Sequence, residues 1–243
     1  MMFTDQNVGE YDVKKQKDED IKSKLLTAIL PHVAFDGWSD AAFKVACSDS
    51  EIEIGEARLI CPSGALDLAV LFHRNGDAAM QKAIIDMDMS KMRFRDKVSM
   101  SVRLRLEAID DVEAVRRGIT VFALPQNTSL GARLIWGTSD AIWATLNDTS
   151  RDINWYTKRA TLSAVYGSTV LYWLGDDSPD HECTWAFLDR RIENVMAIEK
   201  FKSYIRDNAS LRKVMIGPNW LMDKIKAPEG KRPDDMPGYW NNS

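Results

Sequence analysis

Residues 25–71 read LLTAILPHVAFDGWSDAAFKVACSDSEIEIGEARLICPSGALDLAVL, and they decide the fold because they contain four helical segments separated by short breaks. The first segment carries an apolar stripe at helical spacing and ends at Gly37. Ser39 suits the N-cap of a short second helix through Cys47, and a third short helix fits residues 55–60. Ser63 then caps a fourth helix. The stripe on the first segment consists of Leu25, Leu26, Ile29, Leu30 and Val33.

The remainder of the chain continues the helical pattern to about residue 206. Residues 102–106 alternate like a strand, but Val98, Val102 and Leu106 share one helical face in a segment without Gly or Pro, which favours helix. Further helices are predicted over 128–147, over 151–174 after a cap cluster at 148–150, and from Trp185 onward. Apart from residues 51–54, no other stretch favours a strand. The prediction is an all-α fold with nine or ten helices.

The composition is that of a soluble globular protein and excludes a polytopic membrane protein or a wholly disordered chain. The chain has 243 residues, 45% of them hydrophobic and 28% charged, and a formal charge of -4. Because its net charge is negative, the protein has no overall positive field that would attract nucleic acid. Three widely spaced cysteines argue against a disulfide framework. The N-terminus resembles neither a secretory signal nor a transit peptide, so a cytoplasmic, bacterial protein is expected.

The sequence predicts five consecutive parts of unequal character. The first 18 residues are polar and expected to be disordered. A helix-turn-helix-like unit of three helices and the helix after it occupy residues 19–90, and a larger helical domain occupies residues 91–207. A basic amphipathic segment, residues 208–226, and a tail, residues 227–243, complete the chain.

Catalytic and metal-binding signatures do not occur in the sequence. No Glu stands three residues before any of the three histidines, His32, His73 and His181, as a di-iron helix would require. No P-loop, GxSxG, GxGxxG or CxxC pattern occurs. We therefore expect no catalytic residue, no metal site and no cofactor, and a binding protein in preference to an enzyme.

The order of the first four helices looks like the N-terminal domain of TetR-type repressors, whose third helix enters the DNA major groove. Here residues 35–77 hold three cations and eight acidic groups, a net charge of -5. Such a surface repels phosphates, so a helix-turn-helix scaffold without DNA binding is predicted. The alternative is a TetR-type transcriptional regulator that senses an apolar ligand and uses cations outside this window.

A TetR-type plan also predicts a second helical domain with an apolar ligand pocket and a dimer face. Aromatic and aliphatic residues at helical spacing could line such a pocket, although for any one of them ordinary core packing is favoured over ligand contact. The candidate lipid-binding residues are Trp136, Trp143, Tyr166, Val170 and Trp173.

Residues 148–196 carry a more specific resemblance. The run DTSRDINWYTKRATLSAVYGSTVLYWL (148–174), followed by DDSPDHECTWAFLDRRIENVM (176–196), resembles the lipid-binding accessory family of ubiquinone biosynthesis. That family comprises the ninth protein of the coenzyme Q pathway and its bacterial relatives. LPHVAFDGWSDAAF (30–43), GALDLAVLFHRNGD (64–77) and RRGITVFALPQN (116–127) agree with it, so the resemblance covers about residues 24–206.

The resemblance implies a TetR-like fold, a homodimer, no DNA binding, and binding of lipids that include isoprenoid quinone intermediates. It also implies a partner, the di-iron demethoxyubiquinone hydroxylase, to which the substrate is presented from the membrane. The family's partner-binding patch corresponds here to Trp155 and Tyr156, with Asp152, Asn154 and Arg159 nearby. Adjacent helical residues point about 100° apart, so at least one of the two aromatic residues is expected near the surface.

The C-terminal stretch points to a membrane surface. Residues 200–226 hold seven basic and two acidic groups, a net charge of +5, next to several large apolar residues. Docking on its own domain is the alternative. Peripheral association with the inner face of a bacterial inner membrane is expected. The candidate contacts are Leu211, Val214, Met215, Trp220, Leu221, Met222 and Ile225, with Lys213 and Lys224.

A second basic run lies at the start of the larger domain. It is more often a solvated helix face than a binding surface, but it could also face lipid or an acidic partner. The run consists of Lys91, Arg93, Arg95, Lys97, Arg103 and Arg105.

Overall fold

The computed structural model describes the backbone of residues 6–207 and the side chains of residues 13–195. The described range contains nine α-helices and no strand, which confirms the all-α prediction. The candidate membrane contacts between Leu211 and Ile225 lie outside the described residues. The helices are α1 (Gln6–Asp36), α2 (Asp40–Asp49), α3 (Ile54–Ile60), α4 (Ala65–Asp86), α5 (Phe94–Glu107), α6 (Val112–Phe122), α7 (Thr128–Thr145), α8 (Ile153–Trp173) and α9 (Glu182–Asp207).

Two helix assignments depended on reading ambiguous patterns. Residues 98–107 are helical, as predicted, within α5. The expected cap cluster at 148–150 does not begin α8, because Asp152 is the N-cap and accepts a hydrogen bond from the Asn154 N–H.

The helix α1 begins at Gln6, well inside the stretch expected to be disordered. Contacts hold the later part of this stretch, since Lys17 pairs with Glu56 and Ile21, just after it, packs in the core.

Contacts divide the chain into two compact units. Among the described residues, the first comprises residues 6–76 and 109–131, and the second comprises residues 77–108 and 132–207. The domain bounds expected from the sequence placed α6 in the larger domain, whereas the contacts group it with the first unit. The indole N–H of Trp38 donates to the Ala114 carbonyl (3.0 Å), and the Arg117 guanidinium donates to the Ala34 carbonyl (2.7 Å). These two bonds hold α6 against the end of α1.

The first unit has the helix-turn-helix order predicted from its sequence. Gly37 (φ +65°) ends α1 in a left-handed conformation that favours glycine, and the Ser39 hydroxyl then accepts a hydrogen bond from the Ala42 N–H to begin α2. Phe43 and Leu68 are fully buried in its core. Burial raises the pKa of the Cys61 thiol to about 11, as expected for a packed, unreactive side chain.

The second unit contains a buried polar cluster. The Arg105 Nε lies 2.7 Å from Asp77 Oδ1, which also accepts a hydrogen bond from the Thr138 hydroxyl (2.8 Å). The Arg105 guanidinium stands 5.9 Å from the ring centre of Tyr166. Burial raises the pKa of Tyr166, so its phenol is neutral. The cluster ties α4, α5, α7 and α8 together through groups that must stay paired away from water.

We predict that Arg105→Ala lowers the free energy of unfolding by about 3 kcal/mol, because it removes the buried cation that pairs with the mostly buried Asp77 carboxylate. The matched control is Arg116→Ala, which removes an exposed arginine that pairs with Glu113 on one helix and costs under about 1 kcal/mol. Urea unfolding followed by circular dichroism measures both. Equal losses for the two variants would contradict the role of the buried pair.

Candidate functional site

The start of α8 presents the aromatic pair that the sequence assigned to a partner. Trp155 and Tyr156 are both partly exposed, in agreement with the expectation that at least one of them lies near the surface. Their rings meet edge to face at 4.7 Å between centroids. Trp136 of α7 stands 6.2 Å from Trp155, so the structure brings this candidate lipid-binding residue to the aromatic pair.

Arg159 lies beneath this aromatic pair and is itself buried. Its guanidinium carbon is 3.9 Å from the centre of the Trp155 ring, and its Nη1 donates to the Trp155 carbonyl (3.1 Å). Only 4% of the Arg159 side chain is exposed. The structure therefore places Arg159 as a support for Trp155, one layer below the surface where the sequence analysis expected a contact residue.

Two carboxylates from outside α8 neutralise Arg159. Its Nε lies 2.6 Å from Asp140 Oδ1, and its Nη1 lies 3.2 Å from Asp148 Oδ2. The Lys158 ammonium also reaches Asp148 (2.8 Å) and the Ser150 hydroxyl (2.6 Å). A guanidinium at this depth is stable only with such partners.

Asp148 is the electrostatic centre of the group. Burial alone would raise its pKa, but the hydrogen bonds from Lys158, Ser150 and Arg159 outweigh burial, and the pKa lies below its ordinary value. The carboxylate is therefore ionised throughout the neutral range. The sequence analysis treated Asp148 as part of a helix cap and missed both it and Asp140 as site residues.

The two remaining candidate partner residues, Asp152 and Asn154, are exposed and hydrogen-bonded to each other. The Asp152 carboxylate accepts from the backbone N–H (3.0 Å) and the side-chain amide (2.8 Å) of Asn154. This pairing fixes the first turn of α8 directly before the aromatic pair. We call Asp152, Asn154, Trp155 and Tyr156, with Arg159 beneath them, the aromatic patch.

The other candidate lipid-binding residues are buried and spread along α7 and α8. Trp143 donates its indole N–H to the Lys158 carbonyl (3.2 Å), near the start of α8. Tyr166, Val170 and Trp173 follow further along α8. At 1.5 Å per residue, Lys158 and Trp173 are about 22 Å apart, so these residues form a row and not one compact cluster.

The surface of α3 carries no free cation for a phosphate. Arg58, its single basic residue, pairs with Asp40 of α2, and its guanidinium carbon lies 4.8 Å from the centre of the Phe43 ring. Next to it, Leu59 is 84% exposed and Glu53 caps the helix. This surface is acidic and apolar, as its sequence predicted.

We predict that Asp148→Asn destabilises the protein by about 3 kcal/mol at pH 7 and by progressively less as the pH falls below about 4. The reason is that the pKa of Asp148 is lower in the folded state than in the unfolded state. The ionised carboxylate therefore stabilises the fold fully at pH values above the unfolded-state pKa. This stabilisation disappears as the pH falls and Asp148 becomes protonated in both states. Thermal unfolding of both proteins over this pH range measures the difference. A gap that stays constant down to acidic pH would contradict the assignment.

A protein family model matches the part of the chain that contains the aromatic patch. The COQ9 family model matches residues 128–199, which include α7, α8 and the aromatic patch. The rat ubiquinone biosynthesis protein COQ9, mitochondrial, is 30% identical over 203 residues, and the human protein is 28% identical over 203 residues. Each alignment covers 80% of this chain but 64% and 63% of the relative, respectively, so the chain spans less than two thirds of their length.

The fold also has a solved counterpart. A TetR transcriptional regulator from Nitrosomonas europaea aligns with a TM-score of 0.59 at 14% sequence identity, over 72% of this chain and 97% of the regulator. At this identity the match establishes the fold, which confirms the TetR-like prediction. Residues 128–199 thus match the COQ9 family model, and the chain has a TetR-like, all-α fold and is similar in sequence to the COQ9 ubiquinone biosynthesis proteins.

Proposed function

We propose that this chain is a non-enzymatic, lipid-binding accessory protein of ubiquinone biosynthesis. In this proposal it holds an isoprenoid quinone intermediate and presents it to the di-iron demethoxyubiquinone hydroxylase. The relatives that share the COQ9 domain are named as ubiquinone biosynthesis proteins, which supports the pathway. The observation that carries the proposal is the aromatic patch, which lies within the matched domain.

The aromatic patch has the properties of a protein-binding surface. Aromatic residues are frequent binding hot spots when their rings are presented to a partner in a fixed orientation. Here the Trp155 ring rests on a buried guanidinium that two carboxylates hold in place. This support lowers the entropic cost of binding a partner, because the Trp155 ring already packs on the Arg159 guanidinium. A hydroxylase with a complementary apolar pocket suits this surface.

The row of apolar residues along α8 supports a long, thin ligand. Tyr166, Val170 and Trp173 lie at successive turns and are buried, so a polyprenyl tail would contact this row only by replacing the side chains that now pack on it. Removing the tail from water contributes roughly 0.8 kcal/mol for each CH₂ group buried. A protein that lines the tail with apolar side chains therefore lowers the cost of taking the lipid from a bilayer.

The acidic surface of α3 favours an accessory role over the regulator alternative. A DNA-reading helix needs cations that displace counterions from phosphates. Arg58 is already paired with Asp40, and Lys17 with Glu56. We therefore propose that the unit does not bind nucleic acid. A sequence-specific, salt-sensitive gel shift with DNA from the source genome would contradict this.

A homodimer and a peripheral membrane location belong to the same proposal. Ala160, Ala164 and Leu171 are exposed on α8 at spacings that put them on one side of the helix, where a second copy could pack.

In the part of the chain that the structure describes, no helix is long and apolar enough to cross a bilayer. The basic segment at residues 208–226 is the proposed contact with anionic lipid.

We predict that Trp155→Ala weakens binding to the purified hydroxylase about thirtyfold, the effect of a 2 kcal/mol hot spot. The matched control is Tyr172→Ala, which removes a partly exposed aromatic residue near the other end of α8, where it stacks on Phe187. Calorimetry or surface plasmon resonance measures both dissociation constants, and circular dichroism checks folding. Equal affinities for the two folded variants would remove the aromatic patch from the proposal.

We predict that a prenylated quinone or its precursor copurifies with the full-length protein, because the apolar row along α8 retains the tail during purification. Mass spectrometry of the extracted lipid identifies it, and protein made in cells without isoprenoid quinone synthesis provides the blank. Recovery of bulk phospholipid alone from both preparations would contradict the proposal that the protein binds an isoprenoid quinone.

A further inference from the structure

The two carboxylates that hold Arg159 differ in exposure and in their surroundings. The Asp148 side chain is 3% exposed and also accepts hydrogen bonds from the Lys158 ammonium and the Ser150 hydroxyl. The Asp140 side chain is 23% exposed and accepts from the Arg159 Nε at 2.6 Å. Asp148 is thus shared by a network along the connection between α7 and α8, whereas Asp140 meets the guanidinium from α7.

The charges of this group indicate which carboxylate matters more for stability. Lys158 and Arg159 supply two positive charges, and Asp140 and Asp148 supply two negative charges. Without Asp140, the guanidinium keeps an anionic partner, because its Nη1 contacts Asp148 at 3.2 Å. Without Asp148, both cations lose a carboxylate at a depth where an unpaired charge is costly. The fold therefore depends on Asp148 more than on Asp140.

The contact with Asp140 fixes the plane of the guanidinium. A guanidinium is planar and carries its donors in a rigid fork, so bonds from two of its nitrogens determine its orientation. Asp140 accepts from Nε, while Asp148 and the Trp155 carbonyl both accept from Nη1. If the Nε bond is removed, these two remaining bonds meet at one nitrogen, about which the group can turn.

The plane of the guanidinium in turn supports the Trp155 ring. The guanidinium carbon stands 3.9 Å from the centre of that ring, which is direct contact between a cation and an aromatic face. The ring also meets Tyr156 at 4.7 Å and Trp136 at 6.2 Å between centroids. Trp136 precedes Asp140 by four residues, so one face of α7 carries both side chains toward the start of α8.

We propose that Asp140 is a positioning residue of the aromatic patch, which holds the Trp155 ring, through Arg159, in the orientation that a partner meets. The identity of that partner, the hydroxylase, rests on the proposed function, whereas the orientation of the ring is a property of this chain alone. A ring already held in place loses less conformational freedom on binding. Loss of Asp140 therefore weakens the complex while the contact group, the Trp155 ring, remains present.

The first test observes the Trp155 ring without a partner, by fluorine NMR of the full-length protein labelled with 5-fluorotryptophan. Loss of one signal in Trp155→Phe assigns that residue among the eight tryptophans. We expect Asp140→Ala and Asp140→Asn to shift or broaden the Trp155 signal, because the ring then adopts more than one orientation. Asp140→Glu keeps the carboxylate and is expected to restore most of the sharpness. Asp140→Asn preserves side-chain volume, so a folding defect of Asp140→Ala does not decide the outcome.

The matched control is Asp189→Asn, which removes an exposed carboxylate that accepts from the Ser99 hydroxyl at 2.8 Å. The change of charge is the same and lies in the same unit. The bond joins α5 to α9, neither of which carries a residue of the aromatic patch. We expect the Trp155 signal to keep its wild-type position. A signal that is unchanged in every Asp140 variant, or that moves equally in Asp189→Asn, would overturn the proposal.

The second test measures binding to the purified hydroxylase in a double-mutant cycle. We expect Asp140→Ala to weaken binding about tenfold, less than the roughly thirtyfold loss for Trp155→Ala, because the ring remains but is less ordered. In the Trp155→Ala background, Asp140→Ala is expected to cause no further loss, since its effect passes through that ring. A further tenfold loss in that background would indicate direct contact by the partly exposed Asp140 side chain and would contradict the positioning role.

The proposed function and the positioning role fail in different ways. If the wild-type protein does not bind the hydroxylase while the Trp155 signal responds to the Asp140 variants, the proposed partner is wrong and the positioning role is supported. If Trp155→Ala weakens hydroxylase binding while the Trp155 signal does not respond to Asp140, the aromatic patch is supported and the positioning role is wrong.

Discussion

A buried positive charge, the Arg159 guanidinium, organises the part of the molecule around the start of α8. The Arg159 guanidinium cannot remain in an apolar interior without anionic partners, so Asp140 of α7 and Asp148 of the following connection must stand where they do. Their positions fix the path of the chain between α7 and α8. The ring of Trp155 then covers the guanidinium and is held at the surface as a consequence. The position of Trp155 in the aromatic patch therefore follows from the need to pair the buried Arg159 guanidinium with carboxylates.

The helix-turn-helix unit depends on a different constraint, the sharp corner at residues 35–38. Gly37 permits the positive φ that reverses the chain, and Trp38 enters the core and bonds to α6. The corner thus builds the same scaffold that places a reading helix in DNA-binding proteins. On this scaffold the one cation of α3 is used internally with Asp40, which leaves acidic and apolar groups outward. A shared scaffold does not by itself carry the DNA-binding function.

Local signals in the sequence were sufficient for most of the helices, for the cap at Ser39, and for the alternating segment that proved to be α5. Pairing between distant residues was not predictable from periodicity. Trp38 bonds to Ala114, and Arg159 pairs with Asp140, through contacts that no local pattern encodes. One signal was available: Asp140 is the only acidic residue of α7, and a lone carboxylate in an apolar helix requires a counterion.

The position of α8 links the proposed activities. The aromatic patch occupies its first turns, Trp143 and Phe94 pack near residue 158, and the apolar row continues to Trp173. From Trp155 to Trp173 the helix extends about 27 Å. A compact ligand would contact only one turn of such a row, whereas an extended tail can contact several turns and leave its reactive end near the partner surface. In the proposed function, this spacing along one helix would suit a polyprenyl tail better than a small apolar effector.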